Sequence, residues 1–103
     1  DADLTHAIVT DVESFAVGFR RSDLQEANFT RSALIHAVFT DANLRDARFT
    51  EADLTGARLQ GAVLKGADLA NANLTKAELF GADLTGAVLE GTDFTDAIFN
   101  EPT

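Results

Sequence analysis

A five-residue repeat restricts the fold of this chain more than any other feature of the sequence. Counting in fives from Leu4, Leu or Phe occupies eighteen of twenty positions, and Ala stands two residues earlier in fifteen of those units. In an α-helix, five residues rotate a side chain about 140° beyond one full turn, so these residues would not share a face. In a straight strand, an odd period would place successive members on opposite faces. The repeat therefore excludes one long helix and one long strand.

A short extended segment followed by a turn satisfies the spacing. In an extended segment, residues two apart point to the same side, so the Ala and the following Leu or Phe of each unit point inward together. A turn after each pair directs the next segment toward the same centre, and the chain coils around an axis. Because protein interiors are close-packed, the small Ala leaves room for its large neighbours. The sequence predicts an all-β coiled chain with its core along the axis.

Three stretches show the repeat in its most regular form, since residues 52–56, 67–69 and 82–86 each begin with Ala-Asp-Leu. They resemble the tandem Ala-(Asp/Asn)-Leu-x-x signature of the pentapeptide-repeat family, and the resemblance extends over residues 2–101. It implies a right-handed quadrilateral β-helix in which four repeats form one coil, so the twenty repeats form about five coils. We therefore expect residues 1–103 to form a single pentapeptide-repeat domain, in which residues twenty apart stack.

Polar residues that could suggest chemistry are better explained as turn residues. Asp or Asn precedes the large residue in nine of twenty units, and such side chains hydrogen-bond to nearby turn backbone. Their spacing does not match a calcium-binding loop. His6 and His36 stand at corners of different coils, and six of the seven glycines stand at corners without the lysine and helix of a phosphate-binding loop. We expect no metal site, no cofactor and no catalytic residue, and therefore no enzymatic activity.

The net charge of −9 narrows the class of partner. It disfavours direct binding to nucleic acid or to anionic lipid, both of which would be repelled. No apolar run approaches the ~18 residues that a membrane span requires. We expect a soluble protein with a protein partner. The sequence does not decide its location, and the options are the cytoplasm or, if Asp1 is a processed N-terminus, the thylakoid lumen or the periplasm.

Outward apolar residues are the first candidates for an interaction surface. Phe15 lies in an irregular stretch, residues 12–18, which predicts a distorted first coil. Ile35 follows it by twenty residues, so the two side chains should stack on one side of the coil. Phe80 is outward on another side. Single exposed apolar groups are normal on a protein surface, so the pair carries more weight than Phe80 alone.

The favoured function is that of a rigid rod acting as a scaffold or protein-protein interaction module. Its acidic charge is concentrated in residues 82–101, which sum to −5, and this charge serves either ordinary solubility or a surface for a partner. The carboxylates that make up this charge are Asp83, Glu90, Asp93, Asp96 and Glu101.

One branch of the pentapeptide-repeat family suggests an alternative, a DNA-mimicking protein that inhibits or protects a type II topoisomerase, DNA gyrase. Five coils about 4.8 Å apart make a rod about 24 Å long, over which DNA would carry about 14 charges. With a net charge of −9, this chain is a partial mimic. Its uniform repeats, without an interrupting loop, look more like the cyanobacterial and plastid members, so the alternative ranks second.

The last coil predicts a homodimer. Leu84, Leu89, Phe94 and Phe99 occupy its inward positions, and residues 101–103 follow. Because the end of a solenoid exposes its core, we expect two C-terminal ends to stack in an isologous dimer. The acidic rims repel each other most at low salt, so this dimer should strengthen as salt is added.

Overall fold

The computed structural model describes residues 2–9 and 17–100. Over these residues the backbone forms neither helices nor continuous strands, but parallel bridges of one residue each. Every bridge joins residues twenty apart, from Asp3 with Asp23 to Glu78 with Ile98. The chain is therefore a β-helix, a coiled solenoid in which each residue lies against its counterpart in the next coil. This confirms the coiled all-β arrangement that the repeat predicts.

The bridges form four ladders along the coil, and each ladder uses the residue that precedes the central Leu or Phe of its repeats. We number the ladders by their first described residue. Ladder 1 contains Asp3, Asp23, Asn43, Val63 and Asp83; ladder 2 contains Ile8, Asn28, Arg48, Asp68 and Val88; ladder 3 contains Gly18, Val38, Arg58, Glu78 and Ile98; and ladder 4 contains Ala33, Asp53, Asn73 and Asp93.

Among the described residues, backbone hydrogen bonds between coils recur from unit to unit, as the unit centred on Leu24 illustrates. The Leu24 N–H donates to the Asn43 carbonyl at 2.8 Å, and the Asn43 N–H donates back to the Ser22 carbonyl at 3.0 Å. A third bond runs from the Glu26 N–H to the Arg45 carbonyl at 2.8 Å. Backbone hydrogen bonds thus join each described coil to the next, which makes the backbone a rigid frame.

Tight turns form the corners of the coil. The Ala27 N–H donates to the Leu24 carbonyl at 3.0 Å, and the third residue of such turns has φ between 54° and 75°. A positive φ at that position alone is the signature of a type II turn, which favours glycine. Six glycines occupy the third position, as the sequence predicts, but so do eleven other residues, among them Glu26.

The core consists of the residues that the repeat places inside. From Leu24 to Leu79, each inward Ala, Leu and Phe is at most 2% exposed. Two serines replace Ala at inward positions and are buried as well, Ser22 and Ser32. The Ser32 hydroxyl donates to the Val9 carbonyl, so this buried polar group is satisfied.

Aromatic rings fill the coils nearer the N-terminus. Phe29 and Phe49 stack with ring centroids 5.0 Å apart, and Phe19 stacks on Phe39 at 5.2 Å. The two stacks meet edge to face, with Phe29 and Phe39 5.7 Å apart. These are the preferred geometries of aromatic pairs, so four phenylalanines pack as one unit.

Two features of the sequence fall outside the described residues. Phe15 and most of the irregular stretch that contains it belong to residues 10–16, and Glu101 belongs to residues 101–103. Over the part of the chain that is described, there is no helix long and apolar enough to cross a membrane.

Candidate interaction surface

Most outward Asp and Asn residues are engaged at the corners of the coil. One Asp83 carboxylate oxygen accepts the Thr85 backbone N–H at 3.0 Å and the Thr85 hydroxyl at 2.6 Å. The same pairing recurs in five more repeats, at Asp3 and Thr5, Asn28 and Thr30, Asp53 and Thr55, Asn73 and Thr75, and Asp93 and Thr95. The structure thus gives these residues the corner-stabilising role that the sequence predicts for Asp and Asn.

The corner hydrogen bonds also hold three carboxyl groups in their charged form. The Thr85 hydroxyl, and after it the Thr85 backbone N–H, lowers the pKa of Asp83 below its ordinary value. Equivalent bonds from threonine lower the pKa of Asp3 and of Asp93. Among the described residues, no three His, Asp or Glu side chains are grouped as a metal site would require.

The acidic candidates of the last coil lie around it rather than in one stripe. Asp83 belongs to ladder 1 and is half-buried, with Lys65 Nζ 3.9 Å from its carboxylate. Asp93 belongs to ladder 4 and is exposed. Glu90 and Asp96 are exposed at turn positions. These four carboxylates therefore surround the end of the solenoid.

The end of the solenoid carries exposed apolar side chains. Leu89 is 39% exposed and Phe99 is 47% exposed, while Leu84 and Phe94 are half-buried. The rings of Phe94 and Phe99 lie 5.5 Å apart. Phe94 and Phe99 are therefore close together, and the four residues proposed for the dimer reach the surface to different degrees.

Two exposed residues of the last coil were missed by sequence reasoning. Val88 is 46% exposed and Ile98 is 38% exposed, and they lie on ladders 2 and 3. The signal was present, because the ladder position faces outward in every repeat and an apolar residue there widens an exposed apolar area. Sequence reasoning sought outward apolar residues only at the position after the central residue, where Phe15, Ile35 and Phe80 stand.

The outward apolar candidates differ in their surroundings. Ile35 is half-buried, and its predicted neighbour Phe15 lies outside the described residues. Phe80 is half-buried too, and it forms one end of a surface groove of about 370 Å³. We call this the arginine groove, and its lining residues are Arg20, Val38, Thr40, Arg58, Gln60 and Phe80.

Hydrogen bonds fix one side of the arginine groove. Glu78 accepts a bond from Gln60 Nε2 at 2.9 Å and faces Arg58 Nε at 3.6 Å. The Thr40 hydroxyl approaches the Gln60 side-chain oxygen at 3.4 Å. Because Gln60 and Arg58 are both tied to Glu78, their positions in the groove are set before any partner arrives.

A second groove of about 420 Å³ lies beside ladder 2, where His6 Nε2 is 3.2 Å from the Glu26 carboxylate. Its lining mixes both signs of charge with one exposed apolar residue, and consists of His6, Ile8, Glu26, Asn28, Asp46 and Arg48. Sequence reasoning placed His6 at a corner and did not foresee this groove.

Comparison with known proteins places these features in a family. The family model described as Pentapeptide repeats (8 copies) matches residues 22–61, 47–86 and 62–100. The crystal structure of a pentapeptide repeat protein from the thylakoid lumen of Arabidopsis thaliana aligns with a TM-score of 0.88 and 35% identity. The alignment covers 93% of this chain and 67% of the Arabidopsis chain.

Two further solved structures align more weakly. Rfr23, a pentapeptide repeat protein from the cyanobacterium Cyanothece 51142, has 20% identity and a TM-score of 0.47, covering 96% of this chain and 88% of its own. QnrB1, a plasmid-mediated fluoroquinolone resistance protein, has 19% identity and a TM-score of 0.42, covering 94% and 74%. These two similarities carry no functional argument. No curated protein sequence matches the chain.

Proposed function

Because the chain belongs to the pentapeptide repeat family, we propose that it is a rigid, non-enzymatic scaffold or protein-protein interaction module. In this proposal residues 1–103 form one domain, a right-handed quadrilateral β-helix of about five coils. The four ladders and the constant register of twenty residues support that geometry. It acts in solution, in the cytoplasm or, as a processed protein, in the thylakoid lumen or periplasm, and the Arabidopsis relative supports the lumen.

The observation that carries the proposal is the contrast between a constant frame and variable outward residues. The hydrogen bonds between coils recur with lengths of 2.7 to 3.2 Å whatever the outward side chain is. Ladder 3, by comparison, presents glycine, valine, arginine, glutamate and isoleucine in turn. Such a frame displays side chains at fixed spacing with little entropy left to lose on binding, which suits recognition of another protein.

Selection of binding peptides tests this function directly. A displayed library of random 12-residue peptides is panned against the immobilised protein, and enriched peptides are resynthesised. We expect at least one enriched family whose binding is lost when residues of a single ladder are substituted. If no peptide family is enriched, or if binding tolerates substitution on every ladder, the interaction-module proposal is wrong.

The alternative function is topoisomerase inhibition or protection by DNA mimicry. The exposed carboxylates Glu90, Asp93 and Asp96 are distributed around the end coil rather than along one stripe. This arrangement of negative charge supports mimicry. A supercoiling assay with DNA gyrase, with and without a fluoroquinolone, tests it. Inhibition or protection by the protein at micromolar concentration is the outcome expected from mimicry. The absence of both effects would eliminate the alternative.

The predicted homodimer belongs to the proposal as well. Leu89 and Phe99 are exposed beside Val88 and Ile98, and stacking two such ends would remove this apolar area from water. Sedimentation at about 20 mM and about 300 mM salt should show a dimer that strengthens with salt, since the Debye length shortens. Phe99→Arg should weaken it, whereas Ile8→Arg, an 80% exposed residue of the first coil, should not. A monomer at both salt concentrations would contradict the dimer.

A further inference from the structure

The arginine groove runs along the solenoid across four successive coils. Arg20, Thr40, Gln60 and Phe80 occupy the same turn position in consecutive coils, twenty residues apart. With about 4.8 Å between coils, the groove extends about 14 Å from Arg20 to Phe80. A peptide in extended conformation rises about 3.3 Å per residue, so five residues span the same distance.

The groove differs in charge from the chain as a whole. The chain carries −9, but Arg20 and Arg58 line the groove and no carboxylate is among its lining residues. Glu78 stands beside it, occupied by Arg58 Nε and by the Gln60 amide. A guanidinium has five N–H donors in a fixed fork, so an arginine that already has one partner, as Arg58 has Glu78 at Nε, can still donate to a second carboxylate, and the same holds for Arg20.

The N-terminal end of the groove carries Arg20 and the C-terminal end carries Phe80, with Arg58 between them. The Arg58 side chain is 63% exposed and therefore accessible to a partner. Val38 and Phe80 provide apolar surface, and Phe80 lies at the C-terminal end. An aromatic ring placed against Phe80 would gain the contact energy of an aromatic pair in addition to apolar burial. Arginine can also lie against an aromatic ring of the partner.

We propose that the arginine groove binds an extended acidic peptide segment of a partner protein, in which two carboxylates precede an aromatic residue. This rests on the proposed function and names the partner class for one face of the scaffold. In an extended peptide, the first, third and fifth residues point to one side, so carboxylates at the first two of these positions and a ring at the third match the groove. A short peptide suits the site better than nucleic acid, because the net charge of the chain repels a long polyanion.

Fluorescence anisotropy with a defined probe tests the proposal. The probe is fluorescein-labelled Glu-Gly-Glu-Gly-Phe amide, with Gln-Gly-Gln-Gly-Phe and Glu-Gly-Glu-Gly-Ala as matched control peptides. We expect saturable binding of the probe below about 1 mM, weakened by added salt. Each control peptide should bind about tenfold more weakly, because one loses charged hydrogen bonds and the other the aromatic contact.

Protein variants locate the binding site. Arg58→Gln, Arg20→Gln and Phe80→Thr should each weaken probe binding about tenfold. Arg48→Gln is the control, since Arg48 is an exposed arginine at the equivalent position of ladder 2, and it should change binding by less than about twofold. Threonine is chosen at position 80 because it occupies the same turn position in neighbouring repeats. Thermal melts by circular dichroism confirm that the variants are folded.

The outcomes separate this proposal from the broader one. If the probe fails to bind, or if Arg58→Gln and Arg48→Gln bind it equally, the groove proposal is overturned. The interaction-module proposal then still stands if panning yields peptides that map to another ladder. Preferential binding of fluorescein-labelled oligothymidylate in place of the peptide would also overturn the groove proposal. The groove proposal is supported if Arg58→Gln and Phe80→Thr weaken probe binding and Arg48→Gln does not.

Discussion

The coils between Phe19 and Phe49 and the coil between Ala82 and Asn100 are built from the same repeat, yet they bury it differently. Phe29, Phe39 and Phe49 are fully buried, with neighbouring rings 5.0 to 5.7 Å apart. In the last coil, Phe99 is 47% exposed although it occupies the same inward position. The repeat therefore sets the direction in which a side chain points, whereas full burial also needs a coil packed on each side of it.

The corners of the two regions differ as well. Toward the N-terminus the positive-φ positions carry side chains such as His36, Asp41 and Asp46, whereas from residue 56 onward glycine is the commonest residue there. The side chains of those three residues lean over the glycine of the next coil, at Gly56, Gly61 and Gly66. A side chain in one coil thus occupies the space that a Cβ would need in the next.

Truncating one ring in each region should give the largest difference. Phe39→Ala removes a fully buried ring with neighbours on both sides, so we expect it to lower the free energy of unfolding by about 3–5 kcal/mol. Phe94→Ala removes a half-buried ring, and its effect should be roughly half as large, since less apolar area is lost. Urea unfolding monitored by circular dichroism measures both.

Equal losses for the two phenylalanine variants would contradict the comparison. They would mean that the ring of Phe94 is covered in solution as fully as that of Phe39. The proposed dimer could provide that cover, so the measurement is repeated at a protein concentration and salt at which sedimentation shows a monomer.

Corner glycines that are twenty apart provide the next test. Gly61 and Gly81 have φ of 68° and 75°, but a Cβ at Gly61 would collide with the Asp41 carboxylate, whereas one at Gly81 would make ordinary contact, 3.6 Å from Gly61 N. We expect Gly81→Ala to destabilise by about 1 kcal/mol through backbone strain. Gly61→Ala should destabilise slightly more, by about 1–2 kcal/mol, because the exposed Asp41 carboxylate must also rotate away.

A double variant isolates the side-chain collision. Adding Asp41→Ala to Gly61→Ala removes the carboxylate, so the remaining loss, measured against Asp41→Ala alone, should approach that of Gly81→Ala. If the loss stays at the Gly61→Ala value, the collision with Asp41 does not explain the difference between the corners.

The sequence predicted the direction of each side chain more successfully than it predicted the surroundings of that side chain. The period of five placed Leu54 and its counterparts inside and the glycines at corners, because local backbone geometry determines both. The period places Val88 at an outward position, but the extent of its exposure depends on neighbouring coils, and the period does not predict the arginine groove. That groove needs the register of twenty together with side-chain contacts such as the bond from Gln60 to Glu78, and the repeat pattern encodes no such contact.

Replacing a non-glycine corner residue in the C-terminal half by glycine should stabilise the protein. Lys76 has φ of 61°, a conformation that glycine adopts without strain. We expect Lys76→Gly to stabilise the protein by about 0.5–1 kcal/mol, after the greater entropy of glycine in the unfolded chain is subtracted. Lys65→Gly is the control, because Lys65 is the second residue of its turn and lacks a positive φ, and it should destabilise by about 1 kcal/mol. Destabilisation by both would show that positive φ costs little at these corners.

The smallest expected effect is the loss of stability when a corner hydroxyl is removed at either end of ladder 1, followed as the pH is lowered. Asp3 and Asp83 each have a lowered pKa, caused first by the hydroxyl of Thr5 and of Thr85. A folded-state pKa below the unfolded value contributes stability above the ordinary value of 3.8, and that contribution is lost as pH falls through the folded-state pKa. Thr85→Val should therefore lower the free energy of unfolding at neutral pH. The gap in this free energy between the variant and the wild type should narrow in acid. Thr5→Val should behave alike, since Lys65 contributes less than the hydroxyl to the pKa of Asp83.

Urea unfolding from about pH 7 to about pH 2.5 measures these gaps, and Thr50→Val serves as the control because Arg48, rather than Asp or Asn, stands two residues before Thr50. The gap for Thr50→Val should not change with pH. A gap that narrows for Thr5→Val but not for Thr85→Val would identify Lys65, rather than the corner hydroxyl, as the dominant influence on Asp83, and the two ends would then differ in electrostatics as well as in burial.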